Sequence, residues 1–262
     1  MPALAATTRQ LARLHVRCCG ALAARAEVLE PGLHFGQIAA PHWEGLLIDA
    51  AGTLLLPAEP TAAVYLRYAR HYANCTLSEE QVLDNFRRAY NTNWGRSPIR
   101  YVGDGRPFWS AIVSESVQCA HPEMLEGLYQ YFARGSAYNL APGAADSISR
   151  LRSRGMKTAV VSNFDTRLHR ILRELKIDHL FDAIIVSADV HAEKPNPLIF
   201  EAAFEALALP PSSCIHVGDD RRNDIFGARD SGCWAWLWGE DVKSFAEVER
   251  RIETSNFLGD LD

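Results

Sequence analysis

The chain has 262 residues, of which 48% are hydrophobic, so it can bury a substantial core and global disorder is excluded. Its formal net charge of -5 leaves no basic footprint for nucleic acid. No apolar run approaches the roughly 20 residues that a membrane-spanning helix needs. The six cysteines (Cys18, Cys19, Cys75, Cys119, Cys214, Cys233) form no Cys-x-x-Cys pair, which argues against a disulfide framework or a zinc ribbon. Cys214 and Cys233 lie in apolar runs and read as small core residues.

In chain order, residues 1–40 stand apart. They carry Arg9, Arg13, Arg17 and Arg25 and no acid before Glu27, and Leu11, Leu14, Cys18 and Leu22 line another helical face. A basic, acid-poor amphipathic start reads as a mitochondrial or chloroplast transit peptide, so delivery to an organelle is expected; without it the chain would be cytoplasmic. Trp43 to Ile48 reads as a buried strand ending at Asp49, followed by a loop through Ala51, Gly52 and Thr53. From Pro60 to about Ala137 apolar residues recur at helical spacing, interrupted by a Gly-, Pro- and Arg-rich loop at Asn91 to Pro107.

Beyond Pro142 helices and strands alternate. Helices are expected at 143–154, 166–176, 198–208 and 222–230. Strands are expected at Lys157–Val161, Ala183–Val186, Cys214–Val217 and Cys233–Leu237. Such alternation predicts βαβ units and a parallel sheet. Asp165 stands where an N-cap belongs, and Asn196-Pro197 pairs an N-cap with proline at the first helical position. The expected organisation is an N-terminal extension at 1–40, a core domain at 41–59 and 138–262, and a helical domain at 60–137.

The strand ends carry the chemistry. The first ends at Asp49, the second at Ser162-Asn163, the loop after the third holds Lys194, and the fourth ends at Asp219-Asp220 with Asp224 five residues past Asp219. In a parallel sheet ligands bind beyond the carboxyl ends of the strands, so these groups converge on one crevice. Gathered carboxylates repel unless a cation joins them, and Mg²⁺ commonly takes one or two carboxylates together with substrate phosphate. Lysine, hydroxyl and helix-start N–H groups suit a phosphate, and a carboxylate can attack phosphorus.

In these residues the chain resembles the haloacid dehalogenase superfamily. The four stretches are Leu47-Ile48-Asp49-Ala50-Ala51-Gly52-Thr53-Leu54, Val161-Ser162-Asn163-Phe164-Asp165, Glu193-Lys194-Pro195-Asn196-Pro197, and Val217-Gly218-Asp219-Asp220 running to Asp224 and Ala228. Val160 to Asp165 and the loop with Trp109 resemble in particular the subgroup of haloacid dehalogenase-like domain-containing protein three. The resemblance, over about residues 43 to 240, implies an α/β fold with a Rossmann-like parallel sheet, helices on both faces and an inserted helical C1-type cap.

The resemblance also implies site roles. Asp49 would be the nucleophile and a metal ligand, with Lys194 as its catalytic partner. The Ala51 carbonyl, Asp219 and Asp224 would complete a Mg²⁺ site. Thr53, Ser162, Asn163 and Lys194 would hold phosphate. The implied activity is hydrolysis of a small phosphorylated metabolite, with no nucleic-acid or membrane partner.

Ala51 departs from the pattern. Family phosphatases usually carry a second aspartate there, which protonates the leaving oxygen and then activates water. Such help is worth typically about 10²–10⁴-fold. Acyl and aryl phosphates would suffer least from its loss and alkyl phosphates most; Asp220 is a candidate stand-in. Two other functions compete: a weak or inactive member that binds a ligand or partner, and a 2-haloacid dehalogenase, whose branch also lacks that aspartate and needs no metal. His191 reads as a loop residue, His216 as a buried polar group, and Trp234, Trp236 and Trp238 as one packed strand face. Arg96, Arg100 and Arg106, with Trp94 and Trp109, could close over an anionic substrate.

Overall fold

The computed structural model describes residues 42–92 and 99–257. The basic segment behind the targeting expectation, together with Trp94 and Arg96, lies outside the described residues. No described helix is long and apolar enough to cross a membrane.

The fold is α/β. Five parallel strands form the central sheet: β1 (Gly45–Ile48), β4 (Lys157–Ser162), β5 (Ala183–Val186), β6 (Cys214–Gly218) and β7 (Trp234–Leu237), in the order β5-β4-β1-β6-β7. The first strand of the chain is thus the central one, with Ile48 paired to Val160 on one side and to Val217 on the other. Helices cover both faces, which is why β1 is apolar without alternation. Leu46 and Ile48 pack with Ile148 and Leu151 of α5 (Ala144–Ser153) and Val248 of α10 (Phe245–Phe257). Leu47 faces the other way, onto Phe200 and Ala203 of α8 (Pro197–Leu207).

Between β1 and β4 the chain inserts four helices: α1 (Thr61–Ala73), α2 (Glu79–Asn91), α3 (Arg106–Val117) and α4 (Pro122–Tyr131). They have a buried cluster of their own that includes Tyr65, Val82, Val113 and Leu128. A capping box starts α2, with Ser78 Oγ accepting from Gln81 N (3.2 Å) and Gln81 Oε1 from Ser78 N (2.9 Å). An antiparallel ribbon of β2 (Leu55–Pro57) and β3 (Tyr138–Leu140) joins the entry and exit of the insertion. The sequence reading missed this ribbon, because three residues per strand are too few to show alternation.

After β4 come α6 (Arg167–Glu174), then β5 and the short α7 (Ser187–Val190). Asn196 caps α8 as expected, its side chain accepting from Leu198 N at 3.0 Å. The helix expected at 222–230 takes another form: a π-helical turn at Arg221–Phe226, then the short α9 (Gly227–Asp230). Asp220 caps this turn, its Oδ1 accepting from Arg222 N (2.8 Å) and Asn223 N (2.7 Å). Wide turns of this kind recur at functional sites, and this one turns Asp224 inward. Gly218 makes room, since a Cβ there would overlap the Asp224 carboxyl group.

Of the tryptophans expected to form one packed face, Trp236 and Trp238 are partly buried, whereas Trp234 is 50% exposed. Trp43 meets Trp234 and Trp236 edge-on, with ring centroids 6.2 and 5.1 Å away. Trp238 stacks at an angle on Phe245.

Candidate active site

Asp49 leaves the end of the central strand, its N–H held by Val217 O at 2.9 Å, and is 5% exposed. Lys194 approaches from the loop before α8 and is 4% exposed. All three of its ammonium donors are used: Nζ donates to Asp49 Oδ1 (2.7 Å), to Val161 O (2.9 Å) and to Asp224 Oδ1. Asp219, at the end of β6, lies beside Gly52, and ligand oxygens of Asp49, Asp219 and Asp224 all fall within 4.8 Å of one another. Gly52 has φ +85°, and a Cβ there would collide with the Asp219 carboxylate. Four side chains separated by up to 175 positions in the chain therefore meet at one end of one sheet.

Charge inside the cluster is out of balance. Three carboxylates face one ammonium group. Burial, with Asp224 and Asp219 adding repulsion, pushes Asp49 up to about 6 against the pull of Lys194. Burial and then Asp224 also raise Asp219. Burial works against the charges of Lys194 and Asp224, but their contact outweighs it: Lys194 is raised above the usual lysine range and Asp224 is held below the usual carboxylate range. A hard divalent cation fits this donor set, because its charge would offset the surplus carboxylate and its preferred ligand is oxygen.

Other expected residues take less direct places. Ser162 closes β4, two residues past the Val160 that pairs with Ile48, and is buried. Thr53 is buried, and its Oγ1 finds no hydrogen-bond partner among the described residues. The side chain of Asn163, expected at the phosphate, is occupied at both ends by the backbone of Lys194: Oδ1 accepts from Lys194 N (2.6 Å) and Nδ2 donates to Lys194 O (3.0 Å). Asn163 thus holds the lysine in place. Ala51 is exposed and lines a cavity described below. Asp220 is exposed, and its Oδ1 is engaged as the cap of the π-helical turn.

Three contributions went unread in the sequence. His216 of β6 donates from Nε2 to Asp224 Oδ1 at 2.9 Å, beside the Lys194 ammonium on the same oxygen. The third oxygen contact comes from Asp220 N, which donates to Asp224 Oδ2 at 2.9 Å. Glu193, next to Lys194, accepts from the backbone N–H groups of Arg100 and Tyr101. Asp165 does serve the start of α6, accepting from Arg167 N at 3.0 Å, but its Oδ2 also takes Trp109 Nε1 at 2.9 Å and Arg167 Nη2 at 2.8 Å. Glu193 and Asp165 thereby tie residues 100–109 to the strand ends.

Of the cations expected to close over an anion, the two described ones, Arg100 and Arg106, are engaged elsewhere. Arg100 lies over the Tyr90 ring (4.7 Å) and pairs with Glu193. Arg106 pairs with Glu126 and lies 3.9 Å over the Tyr129 ring. His191 is exposed, as a loop residue should be.

A cavity of about 270 Å³ lies between the inserted helices and the strand ends. Its walls include Tyr90, Trp109 and Phe132 from the insertion, and Ala51, Asn163 and Phe164 from the loops beside Asp49.

Residues 43–232 match the family model described as haloacid dehalogenase-like hydrolase. Similar proteins include haloacid dehalogenase-like hydrolase domain-containing protein 3 of Danio rerio, 32% identical over 83% of this chain and 93% of that protein. The Xenopus laevis protein of the same name is 29% identical over 72% of this chain and 81% of that protein. Among solved structures, a Bacillus subtilis HAD-hydrolase bound to magnesium superposes with a TM-score of 0.62 at 21% identity, covering 80% of this chain and 99% of that one. The fold and the strand-end site define the class: an α/β protein with a Rossmann-like parallel sheet and a carboxylate–lysine crevice at its strand ends. The chain belongs to the haloacid dehalogenase-like hydrolase family.

Proposed function

We propose that the chain is a Mg²⁺-dependent phosphatase that acts on a small phosphorylated metabolite through an aspartyl-phosphate at Asp49. The observation that carries this reading is the convergence of Asp49, Lys194, Asp219 and Asp224 on one crevice. A dehalogenase attacking carbon needs no metal, whereas three gathered carboxylates suit a divalent cation.

Asp49, Asp219 and the Ala51 carbonyl would hold the ion, with Asp224 behind them. Bound there, Mg²⁺ would supply positive charge for the phosphoryl oxygens and lower the proton affinity of Asp49. The remaining work belongs to the chain. Lys194, fixed by Asn163, Val161 and Asp224, holds one Asp49 oxygen and leaves the other to attack phosphorus. Against the effect of burial, the Lys194 charge and then the hydrogen bond from His216 keep Asp224 ionised, which keeps the ammonium in register. Residues 60–137 act as the cap that excludes water, resting on a core of 41–59 and 138–262.

Ala51 sets the pace. It offers no proton to the leaving oxygen and no base to the hydrolytic water, so turnover is slow and favours substrates whose leaving group needs no proton. The same observation favours a second reading, a ligand-binding member that does not turn over.

The test is metal-dependent hydrolysis of para-nitrophenyl phosphate and acetyl phosphate by the wild type, Asp49→Asn and Ala51→Asp. The phosphatase reading expects weak turnover, abolished by Asp49→Asn and raised by Ala51→Asp. Silence of both wild type and Ala51→Asp would favour the binding protein. Metal-free halide release from a 2-haloacid would establish the dehalogenase.

A further inference from the structure

The cavity above Ala51 is chemically one-sided. Half of its described lining residues are aromatic, among them Tyr90, Tyr101, Trp109, Phe132, Tyr138 and Phe164. No Asp, Glu, His or Lys is among those described lining residues. Its single described cation, Arg167, is already held by Asp165 at 2.8 Å and lies 4.1 Å over the Tyr129 ring. The tyrosine hydroxyls are largely satisfied as well. Tyr90 and Tyr101 bond to each other at 2.8 Å, Tyr129 donates to Asp104 O at 2.9 Å, and Tyr138 to Phe132 O at 3.2 Å. What the cavity offers an occupant is therefore mostly ring surface.

The rings are also held in place. Trp109 Nε1 is bonded to Asp165, which is fully buried, and Tyr101 packs edge-on against Phe108 at 5.2 Å. A preformed apolar pocket of this kind selects by shape and area with little ordering cost. An enclosed apolar cavity of about 150 Å³ is enough to bind benzene. The 270 Å³ here admits one ring with substituents or a fused pair.

The pocket meets the missing acid at Ala51, which is both a cavity wall and the position two residues past the nucleophile. A leaving oxygen lodged against this wall receives no proton from the protein, so it must depart as an anion. A phenol ionises near pH 10, as tyrosine does, whereas an alkyl alcohol ionises close to water, at about 15.7. We infer that the natural substrate is an aryl phosphate whose uncharged, flat aromatic leaving group occupies this cavity. The assignment rests on the phosphatase reading above and narrows it, choosing aryl over acyl and alkyl esters.

The step balances without further reagents. An Asp49 oxygen bonds to phosphorus while the bond from phosphorus to the aryl oxygen breaks. The electron pair leaves on the phenolate, which takes its proton from solvent water. Water then attacks phosphorus, releasing the Asp49 carboxylate and inorganic phosphate.

The experiment compares kcat/KM with Mg²⁺ for acetyl, phenyl, naphthyl and glycerol phosphates, using wild type and Ser110→Phe, which shrinks the cavity from α3. Calorimetric binding of naphthylmethylphosphonate and methylphosphonate gives a readout that needs no turnover. The expected result is naphthyl at least tenfold above phenyl, chiefly through KM, and glycerol phosphate at least a hundredfold below phenyl. Naphthylmethylphosphonate should bind at least tenfold tighter than methylphosphonate, and Ser110→Phe should erase both preferences. Metal-dependent hydrolysis of acetyl phosphate with no preference for the larger ring, in turnover or in binding, would overturn this inference alone. Silence toward all four phosphates would overturn it together with the phosphatase reading.

Discussion

Asp49→Asn in metal-free protein should make the fold more stable. Asp49 is buried beside Asp219 and Asp224 with one lysine for compensation, and its pKa is driven from 3.8 to about 6. Between those values the folded state binds more protons at Asp49 than the unfolded chain does, so stability falls as pH rises. The favourable contribution is complete below about pH 4 and is lost as pH climbs through 6. A pKa unit corresponds to about 1.4 kcal/mol, so the ionised carboxylate costs on the order of 3 kcal/mol by pH 8. Asparagine keeps an oxygen for the Lys194 ammonium but carries no charge. Urea unfolding in EDTA should therefore find Asp49→Asn more stable than wild type by about 1–3 kcal/mol at pH 8, shrinking toward zero near pH 4. A variant that is less stable at pH 8, or a difference that ignores pH, would refute the charge imbalance.

Further outcomes follow from the same cluster. Mg²⁺ at a hundredfold over its dissociation constant should stabilise the wild type by about 2.7 kcal/mol, and Asp219→Asn should abolish most of that gain, read as the Mg²⁺-dependent rise in Tm. Lys194→Met removes the ammonium from two buried carboxylates and should cost about 3–5 kcal/mol in urea unfolding at pH 8, less at pH 5. Glu193→Ala leaves the Arg100 and Tyr101 amides without their acceptor. Hydrogen exchange at residues 99–105 should then quicken about tenfold while exchange in β1 is unchanged.

The parts of this molecule readable in advance are those governed by local pattern. β1, β4 and β6 are buried on both faces, so their apolar runs stand out, and each ends in a polar residue where the backbone leaves the sheet. Because parallel strands bring their carboxyl ends together, Asp49, Lys194, Asp219 and Asp224 could be grouped before any coordinates. Features set by distant partners could not. His216 has the outward signature of a core strand residue, and only the inward turn of Asp224 gives it a role. Glu193 reads as part of a loop motif, yet its partners lie 92 and 93 positions away. The family resemblance groups Asn163 with Ser162 at the phosphate; that its side-chain amide holds the Lys194 backbone is visible only in the fold. The π-helical turn at Arg221–Phe226 has helical periodicity, and its widening comes from Asp220 capping and from the inward Asp224.

The most direct measurement is acid quench of the wild type with Mg²⁺ and acetyl phosphate, followed by peptide mass spectrometry. The expected result is a phosphoryl group on Asp49 that is absent in EDTA and absent from Asp49→Asn. Phosphate release with no label on Asp49, or a label on a different side chain, would contradict the account at its centre.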